Sequence, residues 1–400
     1  MGQVIGQAVV RPDGRTEGPS PWPPAAAAEG QVELLYEYGP GLVPGGEMTG
    51  GMWRYRDLLP LEPGPIAYPL PVGGTPLLAL PGLRRESGFP GLYLKDETRG
   101  PTGSNKDRAT ALVLEHALRA GARTVSCAST GNVAVSLAVG AAAAGLEAVV
   151  FVPADVSPGK LVPMLAAGAR VLRVREGYEA AFRLSRAAAA AFGWLDRNTG
   201  VNPVTIEAKK TVALEIFEQL GRRVPDVVVA PVGDGPTLCA IAKGFRELVL
   251  CGASPRAPRL VGVQAEGCQP LRRAFESGQP LRPEAPETVA DGIAVSAPVS
   301  AGAVLRDVRE SGGGFVAVSD EAMLRAIGVL ARGGVLAEPA GAAAFAALAP
   351  ARAQGLVGAG ETVVALVTGT GLKTPEFLRP VGEAPEIPAD LEAVVHALGR

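Results

Sequence analysis

The 400-residue chain carries 38 basic and 40 acidic side chains, a formal net charge of −2, and so lacks the basic surplus that nucleic acid or an anionic membrane attracts. Its 47% hydrophobic content supplies a large core and excludes global disorder. Four cysteines without a C-x-x-C pair and only two histidines, His116 and His396, exclude a disulfide scaffold and a structural zinc site.

Met1 to Gly30 is rich in proline, alanine and glycine and predicts a flexible tail. No basic-plus-apolar leader opens it, so a soluble, cytoplasmic protein is expected. Gln31 to Tyr38 predicts a short strand, Gly39 to Gly51 a loop, and Trp53 to Leu59 a short amphipathic helix stopped by Pro60. From Leu92 onward strands and helices alternate. Strands are predicted at Leu92–Lys95, Thr124–Ala128, Ala148–Val152, Val171–Val174, Val227–Val232, Leu260–Gln264 and Val363–Val367. Helices are predicted at Lys106–Ala120, Gly131–Ala144, Ser157–Gly168, Gly177–Phe192, Thr211–Leu220, Thr237–Leu250, Asp320–Ala331 and Pro339–Leu348. Cys127 to Pro153 is apolar, but Asn132 and Glu147 interrupt it, so it reads as buried core and not as a membrane span. Unbroken apolar strands alternating with helices predict an α/β fold of doubly wound parallel sheets, in two sets that divide near Asn198–Glu207.

Only seven of the 38 basic residues are lysine: Lys95, Lys106, Lys160, Lys209, Lys210, Lys243 and Lys373. A chain that writes arginine wherever plain positive charge suffices keeps lysine where a removable proton or free amine is wanted.

Ligands of open parallel sheets bind at the carboxyl ends of strands, and four strand-to-helix turns there carry chemistry. Pro101 to Arg108 places Lys106 at a helix start, where the positive dipole end disfavours its protonated form. Ser129-Thr130-Gly131-Asn132 offers backbone N–H groups to an anion and one side-chain amide. Gly233-Asp234-Gly235-Pro236-Thr237 follows the most apolar strand and has the form of a phosphate cradle, though not of a dinucleotide fingerprint, because Leu238 takes the place of the third glycine. Thr368 to Lys373 offers a hydroxyl that both donates and accepts.

Together these turns resemble the pyridoxal-phosphate enzymes of the tryptophan-synthase-β type, and within them the threonine synthases. The resemblance runs from about Met52 to Pro375. It includes Gly73–Leu77, Leu94–Glu97, Pro101–Arg108, Ala128–Asn132, Asn202-Pro203, Lys210-Thr211 and Glu338-Pro339-Ala340, with the approach Met52–Arg56 and Leu58–Pro60. It implies pyridoxal 5'-phosphate as cofactor, joined covalently to Lys106. Asn132 would bond the cofactor's phenolic oxygen, and Gly233, Asp234, Gly235, Pro236 and Thr237 its phosphate. Thr368 would face the pyridine nitrogen, and Ser129, Thr130 and Gly131 would seat the substrate carboxylate. Freed Lys106 would then act as general base, with a neutral threonine at the ring nitrogen going with elimination and replacement at the side chain. The resemblance also implies a small amino-acid substrate, a homodimer and two α/β domains. The larger would combine residues 60–108 and 203–385, and the smaller would hold 109–202, flanked by an extension at 1–59 and a tail at 386–400.

Three departures bear on the substrate. Asn105 stands where the family places an apolar or aromatic group. Asp234 and Pro236 alter a loop that usually reads Gly-Asn-x-Gly-Asn; here Asp234 would turn outward. Thr205 stands where threonine synthases often have an arginine for the substrate's phosphate; Lys209 or Lys210 would replace its charge, though not its bidentate fork. The expected activity is conversion of O-phospho-L-homoserine and water to L-threonine and phosphate. The alternatives are a serine/threonine ammonia-lyase, a β-replacement enzyme such as cysteate synthase, and a non-catalytic cofactor- or nucleotide-binding protein.

Overall fold

The computed structural model describes residues 4–20, 30–129, 131–156, 158–200, 202–380 and 382–399. The flexible tail expected over Met1 to Gly30 is corrected over residues 4–20. Val4–Val10 (β1) pairs antiparallel with Thr16–Ser20 (β2) on one side and Gln31–Tyr36 (β3) on the other. The β-branched run buries Ala8, Val9 and Val10, and Pro19 is tolerated because β2 is an edge strand. Pro21, Pro23 and Pro24, and the expected helix cap Ser157, lie outside the described residues.

Next come β4 (Leu77–Leu78), α1 (Pro81–Ser87), β5 (Leu92–Asp96), α2 (Lys106–Arg119), β6 (Thr124–Ala128), α3 (Asn132–Ala143), β7 (Glu147–Pro153) and α4 (Pro158–Ala166). β8 (Arg170–Val174), α5 (Gly177–Phe192), β9 (Leu195–Asp196), α6 (Val204–Lys209), α7 (Thr211–Gln219), β10 (Val227–Pro231), α8 (Pro236–Leu250), β11 (Arg259–Ala265) and α9 (Pro270–Ser277) follow. The chain ends with α10 (Ala301–Glu310), β12 (Gly314–Val318), α11 (Asp320–Arg332), α12 (Pro339–Ala346), α13 (Leu348–Ala353), β13 (Val363–Val367) and α14 (Leu391–Ala397). One sheet has the order β12-β11-β10-β13-β5-β4, parallel except at β4; the other, β8-β7-β6-β9, is parallel throughout.

The apolar run at β10 shows why both faces must be covered. Alternate strand residues point to opposite faces. Val227 and Val229 pack with Leu330 and Leu348 on one side, and Val228 and Ala230 with Phe217 and Phe245 on the other. Such a strand needs helices on both faces, and α11 and α12 cover one while α7 and α8 cover the other. The second sheet is built likewise: Val125 and Val150 share a core with Leu112 of α2 and Leu137 of α3. All four chemistry-bearing turns therefore leave the carboxyl ends of parallel strands, after β5, β6, β10 and β13.

Candidate active site

Lys106 is the first residue of α2, and Asn105 before it is the hub of the site. The Lys106 ammonium donates to Asn105 Oδ1 at 3.1 Å. Asn105 Nδ2 donates to Thr237 Oγ1 at 3.3 Å, and the Asn105 backbone N–H donates to the Thr368 carbonyl at 2.9 Å. The residue that departs from the family pattern thus joins the amine, the glycine turn after β10 and the turn after β13. Burial lowers the Lys106 pKa to about 8; Glu338 pulls it upward, while Arg197 and Lys373 lower it further. Lys106 is therefore a base within reach of neutral pH.

Asn132, at the start of α3, donates through Nδ2 to both Glu338 carboxylate oxygens at 2.8 and 3.0 Å. The Glu338 backbone N–H donates to the Gly369 carbonyl at 3.0 Å. Glu338 therefore bridges the turn after β6 to the turn after β13. A Cβ on Gly369 would meet Glu338 Oε1 at 2.2 Å and Asn132 Nδ2 at 3.1 Å, so only glycine lets these groups meet. Sequence reading quoted Glu338 as part of a motif and gave it no role. Its signal was a lone acid one residue before a first-turn proline.

The turn after β10 is equally constrained. Gly235 caps α8 at φ +101°, and a Cβ there would meet Val304 Cγ2 at 2.5 Å and Ser300 Cβ at 2.9 Å. A Cβ on Gly233 would meet the Gly292 carbonyl oxygen at 2.8 Å. Pro236 occupies the first helical position, where a missing N–H costs nothing. Asp234 is not turned into solvent: its Oδ1 accepts from the Val299 N–H at 2.9 Å. Burial raises its pKa, and Lys209 and Lys106 are near enough to oppose that.

The remaining sequence-derived positions divide. Ser129 Oγ accepts from the Gly131 N–H at 3.2 Å; Thr130 lies outside the described residues. Thr205 is buried and its hydroxyl donates to the Asn202 carbonyl at 2.8 Å. Lys209 is buried, and its electrostatic neighbours include Lys106 and Arg197. Lys210 is not brought to the site. Its ammonium donates to Glu207 Oε2 at 2.6 Å and Glu247 Oε1 at 3.0 Å, and lies 4.0 Å from the Tyr36 ring centre. Arg197, also passed over, is fully buried and bonds Thr199 Oγ1 at 2.8 Å and the Lys106 carbonyl at 3.4 Å.

These residues fit an aldehyde that also bears a phosphate. An amine with a lowered pKa lies on one side. The Ser104 and Ser300 hydroxyls, both buried and without a hydrogen-bond partner, flank Lys106 in sequence and Gly235 in space. The open first turn of α8 supplies N–H donors without intrahelical partners. A first expected result follows from the amine. The rate at which the cofactor-free protein captures pyridoxal phosphate should climb about tenfold per pH unit below the Lys106 pKa of about 8 and level off above it. Stopped-flow absorbance across about pH 6–10 reads this; a flat profile would show that Lys106 is not the limiting amine.

The fold and this site define a pyridoxal-phosphate-dependent enzyme of the tryptophan-synthase-β type, and residues 68–369 match the family described as pyridoxal-phosphate dependent enzyme. The chain is 39% identical over 378 residues to a threonine synthase of Methanosarcina acetivorans, covering 92% of this chain and 93% of that one. It is also 39% identical over 353 residues to one of Mycobacterium tuberculosis, covering 88% and 96%. Among solved structures, a T.th. threonine deaminase superposes with a TM-score of 0.63 at 30% identity, covering 77% of this chain and 94% of that one. Threonine deaminase isoform 2 of Solanum lycopersicum superposes with a TM-score of 0.65 at 22% identity, covering 77% and 88%, a likeness of fold. The chain belongs to the threonine synthase family.

Proposed function

We propose that the enzyme converts O-phospho-L-homoserine and water to L-threonine and inorganic phosphate. The observation that carries the reading is a low-pKa amine, Lys106, set beside the buried cations Lys209 and Arg197, neither of which has an ion-pair partner among the described residues. Arg197 is fully buried and, among the described residues, bonds only hydroxyls and a carbonyl. A substrate bearing both a carboxylate and a distal phosphate suits that surplus. We read residues 60–108 with 203–385 as the cofactor domain and 109–202 as the smaller domain that brings Asn132.

When bound, the cofactor supplies an electron sink for charge developing on the substrate. Asn132, fixed by Glu338, would hold the phenolic oxygen, Thr368 would meet the ring nitrogen, and Gly233 to Thr237 with the α8 turn would hold the phosphate. Ser129 to Gly131 would orient the substrate carboxylate. Lys106 takes the proton from Cα. Loss of a Cβ proton then lets the γ-phosphate leave, a proton is delivered to Cγ, the hydroxyl of water adds at Cβ and a proton returns to Cα, which balances the reaction to threonine and phosphate. Asn105 keeps the Lys106 amine directed toward the face shared with Thr237 and Thr368.

Offered O-phospho-L-homoserine, the holoenzyme should release phosphate and threonine in equal amounts. Ammonia and a keto acid from serine or threonine, without phosphate-coupled threonine, would assign the chain to the ammonia-lyase reading that its likeness to threonine deaminase favours.

A further inference from the structure

Thr205, Lys209 and Lys210 lie on or just after one short helix, α6, and the structure separates them. Residues four apart on a helix share a face, whereas the next residue is turned about 100° away. Thr205 and Lys209 are four apart. Lys210 is turned away from them, into the cluster of Glu207, Lys243, Glu247 and Tyr36 that ties α6 to α8 and β3. Its charge is already used. The Thr205 hydroxyl is spent on its own backbone.

Lys209 is only 1% exposed, yet among the described residues its ammonium has no hydrogen-bond or ion-pair partner. The groups acting on it electrostatically are Lys106 on α2, Arg197 after β9, Asp234 in the glycine turn and Cys239 on α8. Two of these are cations and one is a carboxylate already held by the Val299 N–H. A buried ammonium in such company is costly unless an anion joins it. Among the described residues no carboxylate pairs with the Lys209 ammonium, which leaves it free for an anion carried by a ligand.

We propose that Lys209 is the seat of the substrate's distal phosphate, taking one helical turn later the charge that Thr205 does not supply. This rests on the reading that the substrate is phosphorylated at its far end, and it assigns the contact to Lys209 and not to Thr205 or Lys210. Burial and the neighbouring Lys106 lower the Lys209 pKa, and an anion bound beside it acts the other way. Phosphate binding and protonation of Lys209 are therefore linked.

The test uses the holoenzyme and its K209Q, K209R and T205R/K209Q variants. Lys209→Gln should raise KM for O-phospho-L-homoserine, and the inhibition constant of inorganic phosphate, by about tenfold or more, the usual loss when a charge-assisted hydrogen bond goes. Lys209→Arg should stay within about threefold, and T205R/K209Q, which moves the cation back one turn, should recover most of the loss. Cofactor affinity, read by absorbance titration, should change less than about twofold in K209Q. Unchanged KM and phosphate inhibition in K209Q would overturn the assignment. So would an equal loss of cofactor affinity, since Lys209 would then serve the cofactor's phosphate. Should K209Q not fold, calorimetry of sulfate binding to wild-type holoenzyme across about pH 6–10 decides. Sulfate does not titrate there, so an affinity that weakens with proton uptake as pH rises supports Lys209, and a pH-independent affinity refutes it. If wild type makes no threonine but sulfate still binds with proton uptake, the reaction reading fails and the anion seat stands.

Discussion

Lys106→Ala is expected to reduce threonine formation by about 10³-fold or more, because we propose the residue as both the attachment point of the cofactor and the base at Cα. Loss of activity alone would not separate chemistry from folding, and the electrostatics of the site supply the separation. Burial lowers the Lys106 pKa from 10.5 to about 8, so in the folded apoprotein the ammonium is less stable than in the unfolded chain. For a lysine with a lowered folded pKa, the cost is full below the folded value and disappears as pH rises past the unfolded one. The alanine variant should therefore be at least as stable as the wild-type apoprotein below about pH 8, with the difference closing between about pH 8 and 10.5. Denaturant midpoints of the two apoproteins across that window measure it. Borohydride reduction of wild-type holoenzyme, followed by peptide mass analysis, should place the cofactor on Lys106. A label on Lys209, the fully buried amine beside it, would exchange the roles of the two residues and sink the prediction.

The alternation of strands and helices was legible because buried parallel strands need unbroken apolar runs, and Val227 to Val232 or Val363 to Val367 can be little else. The place of Lys106 at the start of α2 was legible from the turn that precedes it, while the role proposed for it came from the resemblance of the surrounding motifs. None of the seven lysines proves exposed. Lys95, Lys210 and Lys243 are locked in buried ion pairs, and Lys160 pairs with Asp291. Lys373 donates to the Thr102 carbonyl beside the amine turn. Of the N-terminal sheet only β3 was legible, because β1 and β2 lie in a proline-rich stretch whose composition reads as a tail. Glu338 was not legible, because its importance lies in meeting Asn132, 206 residues away in sequence. The choice between Lys209 and Lys210 was beyond sequence for a simpler reason. One residue of helical rotation sends one ammonium to the site and the other to Glu207 and Glu247, and only the packed partners fix which is which.

The largest stability effect is expected at Arg108, two residues past Lys106. Its guanidinium bonds Glu97 Oε1 and Oε2 at 2.8 and 2.7 Å, and Glu215 Oε1 and Oε2 at 2.6 and 2.7 Å. It also donates to Thr75 and Thr211 hydroxyls, both at 3.0 Å. Lys95 donates to Glu215 Oε2 at 2.6 Å, so two cations balance two carboxylates in a volume from which water is excluded. Removing Arg108 leaves two buried carboxylates sharing one ammonium, which typically costs about 3–5 kcal/mol. Lysine is a poor substitute, because one point charge cannot grip two carboxylates bidentately. Arg108→Ala should therefore lower the denaturant midpoint sharply, and Arg108→Lys should restore less than half of the loss. The acid limb should move too. Burial alone would raise the Glu215 pKa, but Arg108 and Lys95 hold it at about 2, below its ordinary 4.5. Its contribution is thus full above about pH 4.5 and lost as pH falls toward 2. Without Arg108 the carboxylates lose their main partner, so acid unfolding should begin at higher pH than in wild type. The network joins the start of α2 to Glu97 after β5 and Glu215 on α7, which makes Arg108 the anchor of the helix end that aims Lys106. The variant that still folds should consequently lose kcat more than cofactor affinity, whereas an unchanged kcat beside a lowered midpoint would reduce Arg108 to a purely structural tie.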